Sequence, residues 1–206
     1  MMLPALYLSA TFLAGSLPFG PWIGRLARGV DVRTQGSGNI GATNVLRVAG
    51  VGWGLLALML DITKGWAAVM LLPAALGLEG VRSGGGWPVA GALCATGGHI
   101  FSPWVDFRGG KGVATFIGAA FALAPGPAAV AVAGFLATVG VWRYVSVGSM
   151  VMAGLFPLAT LVMGPPALKA PIAAVGAALA VLIAWRHRAN WQRLARGEES
   201  KLGRAR

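Results

Sequence analysis

Gly52-Trp-Gly-Leu-Leu-Ala-Leu-Met-Leu-Asp61-Ile-Thr-Lys64-Gly-Trp-Ala-Ala-Val-Met-Leu-Leu-Pro-Ala-Ala75 is apolar almost throughout. A bilayer's hydrocarbon core, about 30 Å thick, asks for roughly 20 apolar residues of helix. The stretch meets that length and reads as a membrane-spanning helix. Its two charges, Asp61 and Lys64, have the i,i+3 spacing that places them on one face. Ionisable groups at such depth are costly, and are paired, functional or both.

Outward from this segment, comparable runs cover 3–23, 87–104, 113–125, 127–142, 147–164 and 168–185. The chain is 56% hydrophobic and 11% charged with a mean hydropathy of +0.71. Soluble domains carry about 25% charged residues, so too little polar surface exists here to cover the apolar mass. The expected fold is all-α: one polytopic membrane domain over 1–206 with about seven transmembrane helices and a basic cytoplasmic tail at 185–206. The run 113–125 is short, and Pro125-Gly-Pro127 cuts it from the next, because proline lacks an N–H and restricts the residue before it. Five spans with a re-entrant pair is the alternative. Gly20-x-x-x-Gly24 and Gly50-x-x-x-Gly54 have the spacing of close helix contacts in lipid.

The apolar start has no Lys or Arg before it, unlike a cleavable signal peptide, and is expected to be a retained first span. Cys94 alone excludes an intramolecular disulfide, and two histidines, His99 and His187, leave little for a metal cage.

The net charge is +11, but the basic residues lie between the spans. That pattern suits anionic lipid headgroups and anionic substrates better than nucleic acid. With the N-terminus outside, fourteen of the 17 basic residues fall on the inner side, against Arg82 and Lys169 outside and Lys64 within a span. The positive-inside rule therefore puts the N-terminus out and the C-terminus in the cytoplasm.

The motifs with chemical content share that inner face. In Gly36-Ser-Gly-Asn-Ile-Gly-Ala-Thr-Asn-Val-Leu-Arg47, glycines 36, 38 and 41 permit an anion nest of backbone N–H groups. Ser37, Asn39, Thr43 and Asn44 add neutral hydrogen-bonding groups and Arg47 a forked cation. The plainer reading is a polar loop with Thr43 or Asn44 as N-cap of the next helix. Asp106-Phe-Arg-Gly-Gly-Lys-Gly112 puts Gly109, Gly110, Lys111 and Gly112 just before a helix N-terminus, a combination that attracts phosphate. Val105 stands where a Walker A loop needs glycine, which disfavours a nucleotide-driven pump. Arg143, Ser146 and Ser149 have the spacing to share one helical face if the helix runs through them. The tail, with His187 and Asn190 three apart, reads as a basic amphipathic helix that continues the last span and lies on anionic lipid.

No Ser-His-Asp order, cysteine nucleophile or H-x-x-x-x-D pattern is present. A reaction here runs on positioning and anion stabilisation, so the acyl donor must arrive activated. The competing class is a transporter or flippase for a phosphorylated metabolite or lipid. It is weakened by the featureless outer loops, and the phosphate-type loops weaken a scaffold role.

On these residues the chain resembles the acyl-phosphate:glycerol-3-phosphate acyltransferases, the PlsY family. The motifs that carry the resemblance are Ser37-Gly-Asn-Ile-Gly-Ala-Thr-Asn44 with Arg47, Asp61-x-x-Lys64-Gly65, and Gly109-Gly-Lys-Gly112. Further along come Arg143 with Ser146 and Ser149, then His187, Asn190, Arg193, Gly197, Glu199 and Lys201; Ser200 departs from the pattern, where proline is expected. The resemblance implies a seven-helix fold in the bacterial inner membrane, with the active site facing the cytoplasm and no metal or other cofactor. It implies acyl transfer from acyl phosphate to glycerol-3-phosphate, giving lysophosphatidic acid and phosphate. Membrane lipids, the two substrates and a soluble acyl-phosphate-forming enzyme are the implied partners, with no nucleic acid. Ser37, Arg47, Lys111, His187 and Asn190 are the expected catalytic residues. Gly38, Asn39, Gly41, Thr43, Asn44, Gly109, Gly110, Gly112, Arg143, Ser146 and Ser149 are expected to bind substrate, and Asp61, Lys64 and Glu199 to be structural.

Overall fold

The computed structural model describes residues 2–78 and 86–203. Most of the loop 76–86, with Arg82, and the tail residues Arg204 and Arg206 lie outside the described residues. Among the described residues every regular element is helical. Five segments are long and apolar enough to cross a membrane: Met2–Arg28, Val51–Ala75, Pro125–Trp142, Val145–Met163 and Lys169–Arg186. Two shorter helices, Trp87–Ile100 and Val113–Leu123, accompany them. The chain divides into two compact units, 1–119 and 120–206.

In the first unit, α1 (Met2–Ser16) and α2 (Phe19–Arg28) replace the single span expected at 3–23. The break falls at Leu17-Pro18, because Pro18 has no N–H and pushes Leu17 out of the helical region. α2 ends at Gly29, whose positive φ of 67° lets its N–H return to Arg25 O at 2.9 Å. A loop leads to α3 (Ala42–Ala49) and then α4 (Val51–Ala75). α5 (Trp87–Ile100) stops short of the expected 104 and passes through a 3₁₀ turn, Pro103–Val105. α6 covers Val113–Leu123.

α4 shows how the sequence packs this unit. Ala57, Asp61, Lys64, Gly65 and Ala68 are buried, while Leu55, Leu56, Met59 and Leu71 face outward. Lipid solvates large apolar side chains, so small and charged residues turn inward instead. Small residues on α1 and α5 let the backbones touch: a side chain at Gly15 would strike Ala95 O and one at Gly98 would strike Phe12 O. Gly20 and Gly24 serve close approach too, but to Ile40 and Val32 of the first inner loop rather than to another helix.

In the second unit α7 (Pro125–Trp142), α8 (Val145–Met163) and α9 (Lys169–Arg186) pack in chain order. The α6–α7 break expected from Pro125-Gly-Pro127 falls at Ala124, since proline suits the first turn of a helix. The tail does not simply continue α9. The helix breaks at His187, resumes as α10 (Arg188–Ala195), and turns back at Gly197, where φ is 70°.

Candidate active site

The loop between α2 and α3 is built by two asparagines. Asn44, buried on α3, accepts from Ser37 N–H at 2.8 Å and donates to Val32 O at 2.7 Å and Gln35 O at 3.1 Å. Asn39 accepts from Gly41 N–H at 2.9 Å. Gly36 and Gly38 take positive φ values of 59° and 69°, as a nest requires, while Gly41 is extended at φ −78° and is the residue that caps α3. The N-cap role considered for Thr43 or Asn44 is therefore not what forms, because the helix starts at Ala42. The loop presents the exposed Ser37, with Thr43 half-buried on α3 and Arg47 exposed one turn further along the same helix.

Before the loop, Asp31 takes a forked ion pair from Arg33, with Nη2 to Oδ2 at 2.7 Å. The hydrogen bond from Arg33 holds the Asp31 carboxyl below its usual range. Arg33 also reaches Asp106 of the second inner loop, Nη1 to Oδ2 at 3.7 Å. The Asp106 side chain is 88% exposed and that of Arg33 35%, so the contact adds little stability.

The second loop folds onto the end of α5. Gly109 N–H donates to Ile100 O and Gly110 N–H to His99 O, each at 3.1 Å. A β-carbon at Gly109 would strike these carbonyls, and one at Gly110 would strike His99 Nε2. These glycines are thus required by close packing before any ligand is considered. Gly112, at φ 80°, turns the chain into α6, so Lys111 stands half-buried directly before a helix N-terminus.

Side chains from elsewhere in this unit meet the broken end of α1. Ser102 Oγ donates to Ser16 O at 2.6 Å, Trp104 Nε1 to Ser16 Oγ at 2.8 Å, and Lys64 Nζ to Leu17 O at 2.7 Å. Lys64 also pairs with Asp61 at 2.7 Å and meets His99 Nδ1 at 3.0 Å. His99 belongs to none of the sequence motifs. Its signal was an ionisable side chain within an apolar run, the same signal that marks Asp61 and Lys64.

In the second unit the tail folds back on the α7–α8 corner. Glu199, whose side chain is 6% exposed, accepts from Asn190 Nδ2 at 2.6 Å, Ser146 Oγ at 2.8 Å and Arg193 Nε at 2.7 Å. Burial raises the Glu199 carboxyl, yet these hydrogen bonds and the Arg193 charge bring it below its usual value. Arg143, at φ 64°, ends α7 and gives two guanidinium bonds to Leu202 O, from Nη2 at 2.8 Å and Nε at 3.1 Å. Lys201 lies over the Tyr144 ring, 5.2 Å from its centroid. Ser149 donates to Val145 O of its own helix at 2.8 Å. His187 is buried, with Nδ1 2.8 Å from Ile183 O. A carbonyl only accepts, so Nδ1 carries the proton and Nε2 is the basic nitrogen of the neutral ring.

Each unit therefore gathers part of the expected set. The first holds Ser37 and Lys111 on two loops and Arg47 on α3, with Asp61 and Lys64 buried in α4; the second joins Ser146 and Asn190 through Glu199.

A family model described as glycerol-3-phosphate acyltransferase matches residues 5–197. The chain is 46% identical over 201 residues to the glycerol-3-phosphate acyltransferase of Anaeromyxobacter sp. (strain K), covering 98% of each chain. With that of Sinorhizobium medicae (strain WSM419) it shares 42% identity over 193 residues, 93% of this chain and 89% of the other. Among solved structures it is similar to PlsY (YgiH), an integral membrane glycerol 3-phosphate acyltransferase. The glycerol 3-phosphate form matches with a TM-score of 0.88 at 33% identity, over 97% of this chain and 96% of that one. The lysophosphatidic acid form matches with a TM-score of 0.86 at 32% identity, over 97% and 95%. The chain belongs to the glycerol-3-phosphate acyltransferase family.

Proposed function

We propose that the protein transfers a fatty acyl group from acyl phosphate to the sn-1 hydroxyl of glycerol-3-phosphate, releasing lysophosphatidic acid and inorganic phosphate. The observation that carries this reading is the Gly109–Gly112 loop, which sets Lys111 at the N-terminus of α6. A cation and oriented helix N–H groups together favour a phosphate. Family membership supports glycerol-3-phosphate as the acceptor. The motif pattern of the sequence supports acyl phosphate as the donor, as does the absence from it of an acylatable nucleophile arrangement. The chain then acts as a single acyltransferase domain over 1–206.

An acyl phosphate is a mixed anhydride with an electrophilic carbonyl. The acceptor hydroxyl oxygen forms a bond to that carbon, and the bond from carbon to the phosphate oxygen breaks. The reaction brings two anions side by side, which repel unless cations offset them. Lys111 and Arg47 fill that role, with the amides of 38–44 and Ser37 and Thr43 around a phosphate; Arg143 adds positive charge at the α7–α8 corner. The hydroxyl proton passes to a phosphate oxygen of the substrate. Support for that route comes from His187, whose Nδ1 faces the carbonyl of Ile183 rather than a carboxylate. A carbonyl orients the ring but adds no negative charge to stabilise an imidazolium, unlike the aspartate of a hydrolytic triad. His187 and Asn190 then bind the acceptor, and Glu199 holds Asn190.

The positive-inside distribution supports a cytoplasm-facing site in the bacterial inner membrane. A soluble acyl-phosphate-forming enzyme is the corresponding supplier of donor. The deciding experiment is phosphate release from palmitoyl phosphate by purified protein, with and without glycerol-3-phosphate, with detection of the lysolipid. Release that needs both substrates is expected. An inert, well-folded preparation that instead moves glycerol-3-phosphate into sealed liposomes would replace this reading with transport.

A further inference from the structure

The proposed chemistry gives the buried Asp61–Lys64–His99 cluster no step. Lys64 Nζ forms an ion pair with Asp61 Oδ1 at 2.7 Å, donates to Leu17 O at 2.7 Å and meets His99 Nδ1 at 3.0 Å. Asp61 Oδ1 lies 3.6 Å from His99 Nδ1, beyond hydrogen-bond length, so Lys64 is the partner of that nitrogen. An ammonium only donates. Nδ1 therefore accepts, and the neutral ring carries its proton on Nε2, the opposite tautomer from His187.

His99 Nε2 lies against the backbone of Gly110, where a β-carbon would collide with it. The main chain acts in the same direction, since His99 O and Ile100 O take the N–H groups of Gly110 and Gly109. One residue thus seats the glycine loop with both its ring and its carbonyl, and Lys64 orients that ring. Stability alone is a poor account of the arrangement, because a buried ion pair is often replaced by apolar residues at no loss.

We propose that Lys64 and His99 are positioning residues for acyl transfer: the ion pair with Asp61 orients the His99 ring, which holds the Gly109–Gly112 loop, and with it Lys111, in the geometry that binds anionic substrate. The assignment rests on Lys111 being the phosphate-binding cation.

The test uses the full-length protein with two pairs of measurements. Asp61→Leu/Lys64→Met removes both charges together and leaves no buried ion unpaired. It is expected to melt near the wild type, to exchange amide hydrogens faster in peptides covering 106–112, and to lose kcat/KM on the order of a hundredfold, chiefly through KM. His99→Gln, whose amide nitrogen approximates Nε2, is expected to retain slow exchange and most activity where His99→Ala loses both. A double variant with wild-type exchange and kcat/KM overturns the proposal, and so does His99→Gln failing as badly as His99→Ala. Should the double variant not fold, the His99 pair decides. Exchange is read without substrate, so it judges the seating of the loop even if acyl phosphate proves not to be the donor.

Discussion

Asn190 donates from Nδ2 to Glu199 Oε1 at 2.6 Å, across nine residues of chain. The carboxylate that receives it also accepts from Ser146 and Arg193, so one acid ties the α10 helix, the α8 helix and the tail together. The turn at Gly197 makes this possible by reversing the chain after α10.

Glu199→Gln is therefore expected to be harmful although it is nearly isosteric. Three donors converge on two acceptor oxygens, and an amide offers one oxygen and one NH2, so at least one donor faces another donor in either flip. A charge-assisted bond contributes about 1.5–3 kcal/mol, and a lowered melting temperature is expected. Glycerol-3-phosphate KM should rise as Asn190 loses its orientation. Unchanged melting and kinetics would show that the tail does not depend on the carboxylate.

The same carboxylate sets a pH limit on the tail. Its folded value lies below the ordinary 4.5, with burial opposed by the hydrogen bonds from Asn190, Ser146 and Arg193. A depressed acid contributes stability that is complete above 4.5 and is lost as pH falls through the lower folded value. Proteolysis at the tail should stay slow down to that range and accelerate below it. In Glu199→Gln the step should vanish.

Gly110→Ala and Gly97→Ala make a matched pair. A β-carbon at Gly110 would collide with His99 Nε2, whereas at Gly97, a little earlier on α5, nothing lies within 4 Å. The first variant is expected to lift the loop and lose most activity. The second should be neutral or gain roughly 0.5–1 kcal/mol, since alanine suits a helix interior better than glycine. Thermal melting and initial rates check both.

Asn44→Ala should disorder the first inner loop, because it strands Ser37 N–H, Val32 O and Gln35 O. Each stranded group that stays buried costs about 1–3 kcal/mol. Asn44→Asp keeps the acceptor for Ser37 N–H but turns its second oxygen on Val32 O and Gln35 O, and is expected to be no more stable than the alanine variant.

His187→Gln separates binding from proton transfer. A substrate-assisted reaction is expected to retain kcat within about tenfold while KM rises, because general-base catalysis by a side chain contributes about 10²–10⁴-fold. A loss of that larger size in kcat, with the protein folded, would make His187 the base.

Much of this was open to sequence reasoning because membrane helices are written in composition. The helices at 51–75, 145–163 and 169–186 follow from apolar length alone, and the ion pair of Asp61 and Lys64 from two charges one turn apart. The glycine turns at Gly36, Gly38 and Gly112 were legible because glycine clustered with polar residues is a local pattern. The break at Pro18 was legible in principle, and was missed because apolar length outweighed the single proline.

Other features were decided by tertiary structure. Which partners an asparagine takes depends on groups brought to it by the fold: Asn44 turns to Val32 and Gln35, while Asn190 turns to Glu199. The return of the tail to Arg143 and Ser146 beyond the α10 helix depends on contacts more than fifty residues away in the chain. His99 acquires meaning only when α4 and the glycine loop close around it. Spans are local because lipid reads each segment's own apolar length, but the seat of a loop is non-local, because hydrogen bonds form only between groups that folding has already brought within about 3 Å.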